Sequence, residues 1–262
     1  MKTKIFQIDA FTDKTFSGNP AAVCILNNWI SDELMQSIAL ENNLAETAFT
    51  VRNDNKYEIR WFTPTTEVDL CGHATLATAY VLFQHCDVNS KKLDFYSSHS
   101  GNLTVEKTKN DYLTLDFPTD KLVETQPLDI LNNALGKIPS KTLKGKTDYL
   151  LIFSSQKEVE EIEPDFIQLA KVEGRGVIIS AKGNEVDFVS RFFAPQSGIN
   201  EDPVTGSAHT SLTPYWSKEL NKTQLIAKQL SKRGGELLCE FLGDRVKISG
   251  KAVLYMVGEI EI

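Results

Sequence analysis

Residues 191–220 read RFFAPQSGINEDPVTGSAHTSLTPYWSKEL, and residues 60–83 repeat the same plan. In both segments an alternating strand ends at proline, a polar loop follows, and a helix opens at glycine. RWFTP at 60–64 corresponds to RFFAP at 191–195 at an offset of 191 − 60 = 131, and GHA at 72–74 corresponds to GSA at 206–208 at an offset of 206 − 72 = 134. Offsets near half of 262 residues indicate tandem duplication of a unit of roughly 130 residues.

The two repeats each open a helix at a glycine, Gly72 and Gly206. The first amides of a helix have no intrahelical partner and lie at the positive end of the dipole, so they can bind an anion. Two such termini, one in each half, would suit a small molecule that carries a carboxylate. Alternatively, both are ordinary capped helices whose repetition records only ancestry. The site is favoured by the polar residues gathered there, which are Glu67, Asp69, Cys71, His73, Asp202, Thr205, Ser207 and His209.

Composition indicates an ordinary globular chain, with 41% hydrophobic and 24% charged residues. The length of 262 residues allows one or two domains, and the repeat favours two, which we place at 1–117 and 118–262. The net charge is 28 − 35 = −7 and no basic run exceeds two residues. A nucleic-acid partner is therefore not expected.

Charges interrupt the apolar residues of the N-terminal MKTKIFQIDAFTD, which leaves no signal-peptide core, and no stretch approaches the length of a membrane span. We expect a cytoplasmic protein without a membrane partner. The four cysteines lack CxxC spacing, which argues against a zinc knuckle or a redox dithiol. No phosphate loop or dinucleotide fingerprint is present either. We therefore expect reduced thiols, no metal and no cofactor.

The segment Gly72–His85 is apolar on nearly all faces, and such a helix belongs inside a domain. A second helix at 206–219 presents a similar face. Short alternating strands surround each helix in the sequence, so the pattern predicts an α+β fold with two barrel-like or roll-like β domains, each around a helix. Ser31 is expected to cap a further helix that runs to about Glu41.

Glu46 opens an apolar strand at 48–51, and its counterpart in the second half, near Gly176, offers no carboxylate. A residue present in only one copy breaks the symmetry of the repeat, as a catalytic residue would. The alternative interpretation is a solvated glutamate on an edge strand.

Four separated motifs occur in order: GNPA at 18–21, AET at 45–47, FTP at 62–64 with CGHAT at 71–75, and EDPVTGSAH at 201–209. Together they resemble the phenazine-biosynthesis PhzF-like family, and the resemblance runs from the first strand to the last. It implies the diaminopimelate-epimerase-like fold, in which two similar domains are each a β-barrel around a central helix. It also implies an active site in the inter-domain cleft.

The resemblance further implies a cofactor-free isomerase that moves a proton on a small, cyclic, carboxylate-bearing substrate, similar to trans-2,3-dihydro-3-hydroxyanthranilate isomerase. The family's catalytic glutamate falls on Glu46, its cleft histidine on His73, and its cleft aspartate and serine on Asp202 and Ser207. Gly72 and Gly206 would supply helix-terminus amides, and Asn19 either lines the cleft or makes the turn before Pro20. A homodimer is expected from the resemblance alone.

These residue types suit proton transfer between carbons. A carboxylate in a dry cleft can take a proton and return it elsewhere if its pKa is raised, which is the role expected for Glu46. His73 and Asp202 would orient the substrate, and Ser207 with the amides would hold its carboxylate.

Two other functions remain open from the sequence. Related epimerases use two cysteines, one from each half, but here Cys71 is matched by Thr205, which is far too weak an acid for that role. An amino-acid racemase or epimerase is therefore disfavoured. A non-catalytic metabolite-binding protein could retain the same residues, although the intact set favours catalysis.

Overall fold

The computed structural model describes residues 2–262 and divides them into two units. The first unit comprises residues up to Asp116 together with Ser249–Ile262, and the second comprises Phe117–Ile248. The strands are β1 (Lys2–Ala10), β2 (Asn19–Leu26), β3 (Glu46–Asn53), β4 (Lys56–Phe62), β5 (Glu67–Val68), β6 (Lys92–Ser97), β7 (Gly101–Lys107), β8 (Leu113–Pro118), β9 (Val123–Glu124), β10 (Lys141–Lys144), β11 (Asp148–Ile152), β12 (Gly176–Lys182), β13 (Phe188–Ala194), β14 (Ile199–Asp202), β15 (Gln224–Gln229), β16 (Gly235–Phe241), β17 (Arg245–Gly250) and β18 (Ala252–Glu261). The helices are α1 (Asp32–Asn42), α2 (Gly72–His85), α3 (Asp129–Leu135), α4 (Gln156–Glu161), α5 (Phe166–Leu169) and α6 (His209–Leu220).

The sheet of the first unit places β1 between β18 and β2, antiparallel to both. β2 and β3 are parallel, β3 and β4 antiparallel, and β4 continues in parallel to β6, which leads through β7 to β8. Successive residues of β2 face opposite sides, and nearly all are buried because both sides are covered. Ala22 and Cys24 join a cluster with Met35 and Ile38 of α1, and α2 packs along β1, β2, β3 and β18.

Helix α2 begins at Gly72 and ends at His85, as its all-round apolar sequence predicts, and its residues are buried through almost the whole length. Only Gln84 and His85 at its C-terminal end are exposed. Alanines on several faces let the surrounding strands approach closely. The Ser31 cap is also confirmed, since its hydroxyl accepts a hydrogen bond from the Leu34 amide at 3.3 Å.

The second unit uses the parallel pair β11 and β12, with β12 antiparallel to β13 and β13 parallel to β15. Helices α3, α4 and α5 cover one side in a cluster with Leu151, Ile179 and Phe193. On α6, Trp216 stacks on Phe188 at 5.9 Å and donates its indole N–H to the Ser180 hydroxyl at 2.9 Å.

Helix α6 begins at His209 rather than at Gly206, which corrects the 206–219 boundary predicted from the sequence. Residues 206–208 form a tighter turn, because the amides of His209 and Thr210 bond to the carbonyls of Gly206 and Ser207, three residues back, at 3.0 and 3.1 Å. The amides of residues 206–208 therefore lie in a tight turn before α6 and not in the first turn of the α-helix.

The repeat is visible as the same side-chain arrangement in both units. Arg60 forms a forked ion pair with Glu67 at 2.7 and 2.6 Å, and Arg191 does the same with Glu201 at 2.7 and 3.1 Å. Each guanidinium also lies over a phenylalanine ring, at 5.2 Å for Arg60 and at 4.9 Å for Arg191. Glu67, which the sequence placed among the candidate polar residues, thus joins β5 to β4.

The last strand belongs to the first unit, whereas the sequence-based division assigned all of 118–262 to the second domain. The reason is pairing: β18 runs antiparallel to β1 from Lys2↔Glu261 to Ala10↔Ala252. The hydropathy pattern of β18 cannot show that the chain returns to the first unit, because the pattern of a strand is the same whichever sheet it joins. Among residues 2–262, no helix is long and apolar enough to cross a membrane.

We predict that Gly250→Ala destabilises the protein while Gly258→Ala does not. A Cβ at Gly250 would lie 2.3 Å from the buried ring of Phe11, whereas one at Gly258 meets Ile5 at an ordinary 3.5 Å. Overpacking of this kind costs about 1–3 kcal/mol. Urea unfolding at neutral pH measures both variants, and equal midpoints for the two would contradict the packing of residues 249–262 into the first unit.

Candidate active site

Three chain segments of the first unit meet at one end of its parallel strands. Asn19 opens β2 and Glu46 opens β3, and their register pairs Ala21 with Glu46. The turn before Asn19 requires glycine, because Gly18 has φ +65° and a Cβ there would lie 2.2 Å from a backbone oxygen. Helix α2 begins beside these strand ends.

His73, in the first turn of α2, lies at the centre of this group and is only 5% exposed. Its Nδ1 lies 3.2 Å from Asn19 Nδ2 and 3.4 Å from Cys71 Sγ, and its Nε2 lies 3.2 Å from Glu46 Oε2. Burial lowers the pKa of His73 to about 3, so the imidazole is neutral near pH 7. The structure therefore brings together the predicted residues Asn19, Glu46 and His73, with Gly72 adjacent, and it adds Cys71.

The hydrogen-bond partners of His73 fix its tautomer. The amide nitrogen of Asn19 can only donate, so Nδ1 must accept and the ring proton resides on Nε2. Nε2 is the ring nitrogen on the side of Glu46. The 3.2 Å contact is close, although its angle falls outside hydrogen-bond geometry, so we treat it as an electrostatic contact.

Glu46, Cys71 and His73 also bring three possible metal-ligand atoms within 4.8 Å of one another. Cys71 is nearest to Nδ1 of the imidazole and Glu46 is nearest to Nε2. The group supplies three donors, one fewer than the four of a closed structural zinc site. The thiol–imidazole–carboxylate arrangement suits proton movement better.

In the second unit, Asp202 ends β14 at the start of the EDPVTGSAH motif. The hydroxyl of Thr205 donates a short hydrogen bond to the carboxylate of Asp202. Gln229, which is 1% exposed, donates to the Asp202 carbonyl at 2.8 Å and accepts from the Thr205 amide at 2.8 Å. Gln229 thus holds the Asp202 loop, and no feature of the sequence distinguishes it from other polar residues in strands.

Ser207 accepts a hydrogen bond at 2.9 Å from the Nη1 of Arg175, a residue that no sequence motif identifies. Arg175 is held by the buried Asp148, which accepts from Nε at 3.0 Å and from Nη2. Because the Ser207 oxygen is an acceptor here, its own hydrogen remains to be donated to another group. Ser207 and Gly206 lie in the turn before α6, where they were predicted to bind a carboxylate.

His209 is the first residue of α6 and is fully buried, and its Nδ1 lies 2.8 Å from the Thr205 carbonyl. Burial lowers its pKa to about 4, against the opposing effect of that carbonyl. His209 is therefore a neutral imidazole that holds the turn before the helix.

Comparison with known proteins places this geometry in context. The family described as phenazine biosynthesis-like protein, PhzC-PhzF, matches residues 8–258. A Pseudomonas aeruginosa protein named as an uncharacterized isomerase is 50% identical over 262 residues and covers 100% of both chains. A crystal structure of a PhzF family protein from Enterococcus faecalis has a TM-score of 0.96 at 47% identity and covers 100% of each chain.

A predicted epimerase from Pseudomonas aeruginosa has a TM-score of 0.77 at 18% identity and covers 98% of this chain and 99% of its own. At that identity the likeness concerns the fold alone. Together with the Enterococcus faecalis structure, it confirms the α+β, diaminopimelate-epimerase-like fold class predicted from the sequence.

We predict that the two buried histidines make the protein less stable below neutral pH. Their folded pKa values of about 3 and about 4 lie below the ordinary 6.5, so the unfolded state binds more protons in between. The stability that the two neutral histidines contribute is fully present above pH 6.5. Below that pH the free energy of unfolding falls, by up to about 1.4 kcal/mol per pH unit for each histidine.

Urea unfolding between about pH 7.5 and about pH 5 tests this, because the slope of stability against pH reports the protons taken up on unfolding. His209→Gln should reduce the slope, and the exposed His85→Gln should leave it unchanged. An unchanged slope in His209→Gln would show that this imidazole is already protonated in the folded state.

We predict that purified protein needs no metal for folding. Dialysis against a chelator should leave its thermal midpoint unchanged, and elemental analysis should find far less than one equivalent of any transition metal. A drop in the midpoint that added Zn²⁺ reverses would mean that Glu46, Cys71 and His73 rearrange around an ion.

Proposed function

Because this chain belongs to the PhzC-PhzF family of phenazine biosynthesis-like proteins, and is an isomerase like its close relatives in that family, we propose that it moves a proton between carbons of a small cyclic carboxylate. The reaction would be similar to that of trans-2,3-dihydro-3-hydroxyanthranilate isomerase and would need no cofactor. The observation that carries the proposal is the contact of Glu46 with a buried, neutral His73.

Glu46 acts as the proton shuttle in this proposal. Its carboxylate takes a proton from a substrate C–H bond, the bonding electrons enter the adjacent π system, and the proton returns to a different carbon of that system. Atoms and charge balance without an oxidant or reductant. The proton held by the carboxyl group exchanges with water before one is returned to the substrate, and the carboxylate ends the cycle as it began.

His73 supports the ionised state of the shuttle. With the proton on Nε2, which lies 3.2 Å from the Glu46 carboxylate, its N–H dipole stabilises the carboxylate that begins the cycle. Cys71 Sγ lies 3.4 Å from Nδ1, on the other side of the ring.

In the second unit, we assign substrate binding to the Asp202 loop and to the turn before α6. Ser207, whose oxygen already accepts from Arg175, donates its hydroxyl hydrogen to the substrate carboxylate, and the Gly206 turn supplies amides. Asp202 orients a hydroxyl or amino group of the substrate.

A two-thiol racemase or epimerase is the weaker alternative. It would require a second acidic group at position 205, but the Thr205 hydroxyl donates to Asp202, and an alcohol is too weak an acid to exchange a carbon-bound proton near pH 7. The homodimer and the cytoplasmic location remain predictions from the sequence.

We predict that Glu46→Gln lowers turnover about 10²–10⁴-fold, because glutamine keeps the shape but cannot carry the proton. The assay is incorporation of deuterium from deuterated water into trans-2,3-dihydro-3-hydroxyanthranilate and a panel of small cyclic carboxylates, followed by NMR. Glu41→Gln, at an exposed position on α1, is the matched control and should match the wild type.

Two outcomes would contradict the proposal. Turnover by Glu46→Gln at the wild-type rate would make Glu46 a strand residue only. Tight binding of a panel compound by the wild type, without exchange of any of its hydrogens, would instead favour a metabolite-binding protein.

A further inference from the structure

The second unit contains a cavity of about 410 Å³ that the candidate site residues do not line. Its walls carry three cationic side chains, Lys144, Lys146 and Arg175, and one acidic side chain, Glu173. This volume is within the range of small-molecule sites, roughly 300–1,000 Å³. The cavity is therefore large enough for one acidic group together with its attached carbons.

Arg175 connects this cavity to Ser207. The forked pair with Asp148 fixes two of its nitrogens, and the third nitrogen, Nη1, donates to the Ser207 hydroxyl. The guanidinium also lies 5.4 Å from the Phe192 ring centroid, which restricts its rotation. A group bound in the cavity and a group bound by Ser207 would thus share one rigid cation.

Lys144 is the cation whose ammonium is held in place by weak contacts. Its Nζ lies 3.6 Å from the centroid of the Tyr149 ring and makes a long 3.4 Å hydrogen bond to the Glu173 carbonyl. The space for the ammonium depends on Gly174, which has φ +128° and where a Cβ would lie 2.7 Å from Nζ. Burial lowers the pKa of Lys144, an effect that a bound anion would offset.

The charges in the cavity are unequal. Asp148 neutralises Arg175, which leaves Lys144 and Lys146 against Glu173. Within residues 2–262, neither Lys144 nor Lys146 forms a direct ion pair with a carboxylate. The Lys144 ammonium is attracted by Asp148 and Glu173 but forms a direct ion pair with neither, so it remains available to an oxyanion such as a carboxylate or a phosphate.

We propose that this cavity is an oxyanion subsite next to Ser207, and that the ligand of the second unit carries a second acidic group. The proposal rests on the assignment of Ser207 as a carboxylate binder and extends it by naming the substrate class, a small molecule with two acidic groups. The same cationic side chains would also bind a separate inorganic anion. The experiment below distinguishes a second acidic group on the ligand from such an anion.

The test uses acetate, succinate and inorganic phosphate as probes, with binding followed by NMR titration of backbone amides in the full-length protein. The variants are Lys144→Met and Lys146→Met, which keep side-chain length without charge, and the control is Lys157→Met at an exposed position on α4. Arg175→Lys is a further variant that keeps the charge but loses the fork. Urea midpoints confirm that each variant is folded.

We expect succinate to bind at least about tenfold more tightly than acetate, and we expect Lys144→Met to remove that advantage while Lys157→Met keeps it. Amide shifts at 144–149 and at 206–208 together would identify one ligand that reaches both places. Phosphate that shifts 144–149 without competing with acetate would identify a separate anion. Equal affinities of wild type and Lys144→Met for every probe would overturn the subsite.

The binding test of the subsite does not depend on turnover. If the probes show no subsite but Glu46-dependent deuterium exchange is found, the proposed isomerisation stands and the substrate needs only one acidic group. If exchange fails while the probes bind as expected, the subsite stands and the proposed isomerisation falls.

Discussion

The burial of one neutral imidazole is the constraint on which the candidate site depends. His73 is enclosed in the first turn of α2, and the cost of charging it in that position keeps it neutral. The neutral ring accepts from Asn19 at Nδ1, and its Nε2 lies in electrostatic contact with Glu46 at 3.2 Å, so one imidazole touches both strand ends.

The two units share a scaffold and differ where chemistry is proposed. Both have a forked arginine–glutamate pair under a proline-ended strand, and both place a glycine at the start of a central helix or its preceding turn. In the first unit the polar groups converge on an imidazole beside a carboxylate. In the second they form a closed loop of Asp202, Thr205 and Gln229, which is suited to holding a ligand rather than moving a proton.

Much of the fold could be predicted from the sequence, because its signals are local or repeated. The offset of the two repeats, the all-round apolar character of α2 and the cap at Ser31 each depend on residues close together in the chain. The start of α6 was predicted three residues too early, since a glycine that opens a turn and a glycine that opens a helix look alike. The assignment of β18 failed for a different reason, because pairing with β1 depends on residues more than 200 positions apart.

The sequence by itself determined which residue types are available for chemistry: Glu46 in one half only, a histidine after Gly72, and a threonine where a second cysteine would be needed. Tertiary structure alone decided which atoms meet. The tautomer of His73 depends on the side of the ring that Asn19 contacts, and the hydroxyl of Ser207 accepts from Arg175, a residue outside every motif. Hydrogen bonds and desolvation act through distances of a few ångströms, and the order of residues along the chain does not specify those distances.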